Sequence, residues 1–309
     1  MCGMLLLSAC ERMGMPSDLY GRAFGTTWHL KTSESLSQRK KKELQSNLQS
    51  QLDAWESYLS HWQMESAVSR FNASTSTDWQ SMPVEVIELA RLAQKIAHDT
   101  DGALDITIAS CIDLWGFGAQ EQHRTPPEPI AIEKAREACG WHLLDVREAP
   151  PALRKKHPLT RINLSSVAEG WALDRLALSL EAAGEHDFLL ELGGEVLARG
   201  HAADGNPWLV GVQTPDAPEG EAMQAMRLHD ASLATSGTYR QRFEHDGKSY
   251  AHLLDPHTGR PVEHALRSVS VSHTSAAMAD GYATALLVLG PVRGREVAAR
   301  LRLNVFWVE

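Results

Sequence analysis

The sequence predicts an α+β fold, and three observations carry the prediction. Helix-like and strand-like stretches mix without a regular strand–helix alternation. From Phe188 onward the text turns strand-rich, with FLLELGGEVLARG, WLVGVQ, SYAHLL and SVSVS in succession. No GxGxxG or GxxxxGK[ST] occurs, so neither a dinucleotide-binding turn nor a P-loop is supported. At 309 residues the chain can bury one large core or two packed subdomains. Its 43% hydrophobic and 22% charged content are those of an ordinary soluble globular protein.

The elements follow in order. Gly21–Leu30 reads as a glycine-flanked strand start. A long amphipathic helix comes next, with Ser35 and Gln38 at capping-box spacing and Leu44, Leu48, Leu52, Trp55 and Leu59 on one stripe. Ser60 to Asp78 reads as polar and irregular, with Trp62 and Phe71 embedded in it. Ser81-Met82-Pro83 starts a second helix carrying Val86, Leu89, Ala93 and Ile96. TDGALD at 100–105 is a turn, followed by an apolar stretch that ends in LWGFG. Gln120–Pro129 is a proline-rich loop, Ile132–Cys139 a short helix, and Leu143–Val146 and Arg161–Leu164 are strand-like. Ser165-Ser166 opens a helix through Val167, Trp171, Leu176 and Leu180. Gly193-Gly194 inside an apolar run predicts a bulge or a close backbone approach. Ala276–Leu289 is a clear helix, a further one follows, and Asn304–Val308 reads as a closing strand.

The net charge of −9 argues against nucleic acid. The one basic run, Arg39-Lys40-Lys41-Lys42, reads as a solvated helix face. Four cysteines show neither CxxC nor framework spacing; Cys111 and Cys139 either pair or remain buried thiols. No stretch approaches the ~20 apolar residues of a membrane span. Met4-Leu5-Leu6-Leu7-Ser8-Ala9-Cys10 looks like the end of a bacterial lipoprotein signal, although it is short and lacks a basic start. The expectation is a signal and tether over residues 1–18 and one domain over 19–309.

Chemistry concentrates in four stretches. SYAHLLDPHTGRPV at 249–262 carries His252, Asp255 and His257 into two successive turns, and taken alone it is equally a hairpin with polar decoration. NLSSVAEG at 163–170 is a strand end feeding a helix start, with oxygens at Asn163, Ser165, Ser166 and Glu169. Free amides at a helix start suit a phosphate, and hydroxyls suit a hard cation; the alternative is an ordinary capping box from Ser166 to Glu169. ADGYAT at 279–284 places Asp280 and Thr284 on one helical face. A carboxylate in so apolar a helix needs a cation or donor, unless Asp280 is merely an N-cap. TDGALD with WGFG is the fourth; its aromatics are most simply core and Asp105 a turn acceptor, while Trp62 is the better candidate for stacking on a flat ligand.

In order, these segments resemble the FAD:protein FMN transferase (ApbE) family. The resemblance is carried by Phe24-Gly25-Thr26, SHWQMESAVSRFN, TDGALD with LWGFG, NLSSVAEG, LELGG, Thr235–Tyr239, HLLDPHTG and ADGYAT. It implies two mixed α/β lobes related to the T-fold, with FAD in the cleft between them. It also implies Phe24 and Trp62 packing on the flavin, and Ala103, Leu104, Asp105, Asn163, Glu169 and Leu254 lining the FAD site. Ser166, Asp280 and Thr284 would hold Mg2+ and His252 would serve catalysis. The implied reaction moves FMN from FAD to a threonine or serine of a target redox protein and releases AMP, in a periplasmic lipoprotein anchored to the inner membrane through Cys10. FAD hydrolysis to FMN and AMP, and a non-catalytic flavin-binding lipoprotein, are the alternatives. Against the family's pattern, Phe24 replaces a methionine, Asn163 an aspartate and Ala283 a second metal-side aspartate, and the resemblance implies that the chain's end at Glu309 falls short of the family's last strand.

Overall fold

In β2 (Thr26–Thr32) the period-two alternation puts Trp28 and Leu30 fully inside while Thr27 stays exposed. Phe188, Leu190 and Leu192 do the same along β6 (Phe188–Leu192), which pairs with β2. This shared apolar face defines the main layer of the computed structural model, which describes residues 15–118, 124–213, 215 and 222–309. Cys2, Cys10 and part of the loop expected at 120–129 lie outside the described residues.

The main sheet has seven strands. Besides β2 and β6 they are β1 (Asp18–Ala23), β7 (Glu195–Arg199), β10 (Ala231–Gly237), β15 (Ser268–His273) and β16 (Asn304–Val308). Their order is β1-β2-β6-β7-β10-β15-β16, and every pairing is antiparallel. Three long helices cover one face: α1 (Gln38–Leu59), α6 (Ser165–Ala182) and α7 (Ala276–Leu301), with α3 (Val84–Asp99) packed against α7. A ribbon of β8 (Trp208–Gln213) and β9 (Ala222–Leu228) covers part of the other face through Trp208, Val210, Val212 and Leu228.

A smaller apolar body stands beside this layer. It comprises α4 (Ala109–Leu114), α5 (Pro129–Arg136), the hairpin of β11 (Arg242–His245) with β12 (Lys248–Ala251), and the short pair of β13 (Leu254–Asp255) with β14 (Arg260–Pro261). Its own core is Ile108, Cys111, Trp115, Ile132, Phe243 and Leu254. The remaining elements among the described residues are α2 (Ala67–Ala73), a single 3-10 turn at Trp141–Leu143, and a three-stranded sheet of β3 (Gln80–Ser81), β5 (Ala152–Lys155) and β4 (Leu144–Arg147).

Several expectations need correction. The cap of α1 is Ser37, whose hydroxyl accepts from the Lys40 amide at 3.3 Å, not Ser35. The stretch 60–78 is not wholly irregular, because Ser66 caps α2 there. The short helix lies at Pro129–Arg136, earlier than expected. Arg161–Leu164 makes only an isolated bridge, Arg161 to Ile108. Gly193-Gly194 is not inside a strand. It is the two-residue turn joining β6 to β7, with Leu192 opposite Glu195 and positive φ at both glycines. Helix α7 breaks at Gly290 (φ 74°), just before Pro291, which divides it into the two expected pieces.

Helices α6 and α7 cross at close range. A Cβ on Gly170 would stand 2.3 Å from the Ala276 carbonyl oxygen. Asp174 of α6 also caps α7, its carboxylate accepting from the Ser275 hydroxyl (2.7 Å) and the Ala276 and Ala277 amides (2.8 and 3.1 Å). That crossing sets the position of Glu169 relative to Asp280.

Candidate active site

Between the large and small cores opens a cleft of about 620 Å³. Every residue that the resemblance assigns to a site lines it: Phe24, Trp62, Ala103, Leu104, Asp105, Asn163, Ser166, Glu169, His252, Leu254, Asp280 and Thr284; Asp255 and His257 are not among the lining residues. They come from distant parts of the chain and converge only through the fold.

The α6 end is built first. Asn163 Oδ1 accepts from the Ser165 amide at 2.9 Å and also from its hydroxyl, so Asn163 turns the chain into the helix. Asn163 is itself fixed by its backbone N–H, which donates to the Ile106 carbonyl at 2.7 Å. Asn72 holds the residue before it, pairing with both the N–H and C=O of Ile162 at 2.7 and 2.8 Å. The capping-box alternative does not hold. Glu169 turns away from the helix start and toward Glu195, which leaves Ser166 half-buried in the cleft.

Asp280 is 6% exposed and lies in the second turn of α7, past its Ser275 cap, so it is not an N-cap. Its Oδ2 accepts from the Gly170 amide at 3.2 Å. Thr284, one turn on, shares a hydrogen bond with Ser236 (Oγ1 to Oγ, 2.9 Å). Nearby Glu195 is 5% exposed, and its Oε2 has no hydrogen-bond partner. Burial, followed by repulsion from Glu169 and Asp280, pushes the Glu195 carboxyl well above the usual carboxylate range. Burial and Glu169 do the same to Asp280, and burial raises Glu169. Arg240, which donates to the Gly193 carbonyl at 3.0 Å, opposes all three shifts. Buried carboxylates, an orphaned carboxylate oxygen and adjacent hydroxyls form an oxygen-only donor set that fits a hard divalent cation. Among the described residues no group of three or more His, Cys, Asp or Glu side chains could hold a metal ion. The residues therefore suit a cation that completes its shell with waters or ligand oxygens.

His252 follows β12. Its Nδ1 lies 3.1 Å from the Gln241 carbonyl, which can only accept. Nδ1 therefore carries the proton, and Nε2 is left with its lone pair. Burial lowers the His252 pKa, the Arg240 charge adds to this, and the Gln241 bond opposes it. The ring meets Phe117 edge-on at 6.4 Å.

Asp105 is buried and accepts from the Thr107 amide and hydroxyl at 2.8 and 2.7 Å. It is thus the expected turn acceptor as well as a cleft residue, and burial raises its pKa. Phe24 occupies the β1–β2 turn with φ 54°, a strained conformation for a bulky residue. Glu56 of α1 holds it there, accepting from the Phe24 amide at 3.2 Å. Trp62 is 55% exposed at the rim, so it is not a core tryptophan. Ser60 shapes its loop by accepting from the Trp62 and Gln63 amides, both at 3.2 Å. Trp115 is core, with its indole N–H donating to the Gly259 carbonyl at 2.8 Å, whereas Phe117 faces the cleft.

Sequence reasoning missed Glu56, His61 and Glu195 and placed no weight on Arg240, yet all four line the cleft. His61 is held down to about pKa 4 by burial and the Arg161 charge. Glu195 stands directly after LGG, and only the β6–β7 turn reveals that it folds back into the site.

A two-layer antiparallel α+β body whose cleft gathers buried carboxylates, hydroxyls and two histidines with lowered pKa has the make-up of an enzyme site. The comparisons agree: residues 24–307 match the ApbE family, and the chain belongs to that family. It is 37% identical to the FAD:protein FMN transferase of Salmonella typhimurium, over 94% of this chain and 83% of that protein. It is 35% identical to the FAD:protein FMN transferase of Escherichia coli K12, over 98% of this chain and 89% of that protein. The solved flavin transferase ApbE of Vibrio cholerae superposes with a TM-score of 0.86 at 31% identity, covering 94% of this chain and 93% of that one. The apo flavinyl transferase ApbE of Pseudomonas stutzeri gives 0.86 at 34% identity, covering 95% and 90%.

Proposed function

We propose that this chain is a magnesium-dependent FAD:protein FMN transferase, moving FMN from FAD to a serine or threonine hydroxyl of a target redox protein and releasing AMP. Membership of the ApbE family over residues 24–307 supports the reaction class. The observation that carries the site is the convergence of His252, Asp280, Thr284 and Ser166 on one cleft.

Such a cleft has room for a dinucleotide-sized ligand. Phe24 and Trp62 offer the flavin two aromatic faces at the rim, and Leu104 and Leu254 an apolar wall. Asp280, Thr284 and Ser166 would hold Mg2+, which when bound supplies Lewis-acid stabilisation of charge on phosphate oxygens. The acceptor oxygen forms a bond to the FMN phosphorus as the bond from that phosphorus to the bridging oxygen breaks, and AMP leaves with the bridging oxygen. His252 Nε2 takes the hydroxyl proton. Its neutral form is the competent one, and burial favours that form. Asp105, fixed by Thr107, and Asn163, fixed by Ile106, orient the bound dinucleotide.

We place the protein in the periplasm, tethered to the inner membrane through a lipid on Cys10. The motif at residues 4–10 supports this. A palmitate-labelling and fractionation experiment tests it: label lost in Cys10→Ala and release to the soluble fraction are expected. For the reaction itself, the protein is incubated with FAD, Mg2+ and a redox-protein domain. Covalently yellow acceptor plus AMP supports transfer. Free FMN plus AMP supports hydrolysis, and bound, unchanged FAD a carrier.

A further inference from the structure

Two thiols outside the proposed chemistry touch at the base of the small body. Cys111 Sγ, on α4, lies 3.5 Å from Cys139 Sγ, just after α5. Both are free. Cys111 is 1% exposed and Cys139 half-buried. A bond needs Sγ atoms at about 2.05 Å, so the pair lies about 1.5 Å from bonding distance.

The segments they join are those that shape one wall of the cleft. Cys111 lies between Ile108 and Ile112, which both line the cleft. It also packs against the turn that follows Leu254: its Sγ lies 3.4 Å from where a Cβ on Gly259 would stand. Cys139 precedes Gly140, whose amide donates to Thr107 Oγ1 at 2.7 Å, and Thr107 in turn donates to Asp105. Next to Cys139, the Ala138 carbonyl accepts from Thr160 Oγ1 at 2.9 Å. A covalent link between the two sulfurs would thus fasten the Ile108–Ile112 wall to the support of Asp105.

We propose that Cys111 and Cys139 are a disulfide-forming pair, and that their oxidation locks this wall of the cleft. The oxidant is a disulfide of the thiol-exchange class, such as oxidised glutathione. Cys139, the more exposed sulfur, loses its proton to solvent and attacks one sulfur of the oxidant; the first thiol leaves and a mixed disulfide forms on Cys139. Cys111 then attacks the Cys139 sulfur, forming the Cys111–Cys139 bond and expelling the second thiol. Two protein thiols are oxidised and one external disulfide is reduced to two thiols. The contact with Cys139 and the charge of Arg136 hold Cys111 below the ordinary thiol range, against burial, which suits the resolving role; the same contact and burial raise Cys139, so its proton loss is the slow step of the exchange.

The full chain, equilibrated with oxidised glutathione, is digested without reduction and mapped by mass spectrometry. The expected product is a cross-linked peptide pair carrying Cys111 and Cys139 that separates with dithiothreitol. Quantitative alkylation of both cysteines after oxidation, or links only to Cys2 or Cys10, would overturn the proposal. Thermal unfolding gives a second measure. The oxidised protein melts about 5 °C above the reduced one, and Cys139→Ser shows no such difference; an equal shift in that variant contradicts the link. The effect on the site rests on the proposed function: oxidation lowers the Kd for FAD several-fold, read by flavin fluorescence. An unchanged Kd with the link present overturns the locking alone, and the peptide map is independent of any flavin chemistry.

Discussion

His252 and Gln241 show how much one hydrogen bond decides. Because the carbonyl fixes the proton on Nδ1, Nε2 is ready to accept one, and burial keeps the ring neutral to lower pH than a free histidine. His252→Ala is expected to cut transfer by about 10²–10⁴-fold while FAD still binds; full activity in this variant would remove the base role. The acid limb of kcat/KM should lie below pH ~6.5, the ordinary histidine value. Asp280→Ala should abolish magnesium-dependent turnover with FAD binding partly retained, measured by titrating magnesium into EDTA-stripped enzyme. Equal activity of variant and wild type would remove the metal assignment. Glu195 makes a thermodynamic prediction. Its folded pKa is raised above the unfolded value by burial and by Glu169 and Asp280, so the folded metal-free protein holds a proton that the unfolded chain releases. The stability this contributes is complete below the unfolded pKa of ~4.3 and is lost as pH rises through the folded value. Urea titrations in EDTA from pH 5 to 8 should show a downward slope that Glu195→Gln flattens. At this scale the motifs made His252 and Asp280 legible. Glu195, Glu56 and Arg240 were not, because each is an ordinary charged residue until a turn or a helix register brings it to the cleft.

Among the elements, the β6–β7 turn carries the most consequence. Gly193 has φ 65°, and a Cβ there would stand 2.5 Å from Glu169 Oε2. Gly193→Ala is therefore expected to destabilise the fold by about 1–3 kcal/mol, from the strained φ alone, and to displace Glu169. Urea unfolding and FAD affinity should both register it. The run LELGGEVL was legible as strand, but not as two strands, since Glu191 fits the in–out alternation of a single strand and only the Gly193-Gly194 pair marks the turn. The long helices α1 and α3 were legible from their apolar stripes, because burial along them follows the helical period, whereas α7, buried nearly all round its first half, was legible only as a long apolar run. Helix α2 was not, because seven residues with three buried positions cannot display a period. It is held from elsewhere: buried Lys155 donates to the Phe71 and Ser74 carbonyls at its end, at 2.9 and 2.8 Å. Strand β5, which carries Lys155, was unread for a related reason, since ALRK lacks β-branched residues.

For the whole molecule, the informative relation is between the cleft and the chain's beginning. Ser17 accepts from the Leu36 amide at 2.8 Å, just before α1, while Leu59–Trp62 at the far end of α1 line the cleft. A helix of 22 residues spans about 33 Å. Phe24, which also lines the cleft, stands seven residues after Ser17, a reach of at most about 25 Å, so with the proposed anchor at Cys10 the cleft would open within about that distance of Ser17. The α+β class was legible from element mixing, and the two lobes from the ApbE resemblance. The division into a seven-stranded layer and a small α4–α5 body was not, because it depends on which hydrophobic residues find each other rather than on their periods. The central claim is that this cleft delivers FMN to a protein hydroxyl rather than to water. The most direct test is the ratio of AMP released to flavin covalently bound to acceptor, followed over a full time course with FAD and Mg2+. Transfer predicts a ratio of one, with the flavin on a serine or threonine; AMP and free FMN in equal amounts with an unmodified acceptor would contradict it.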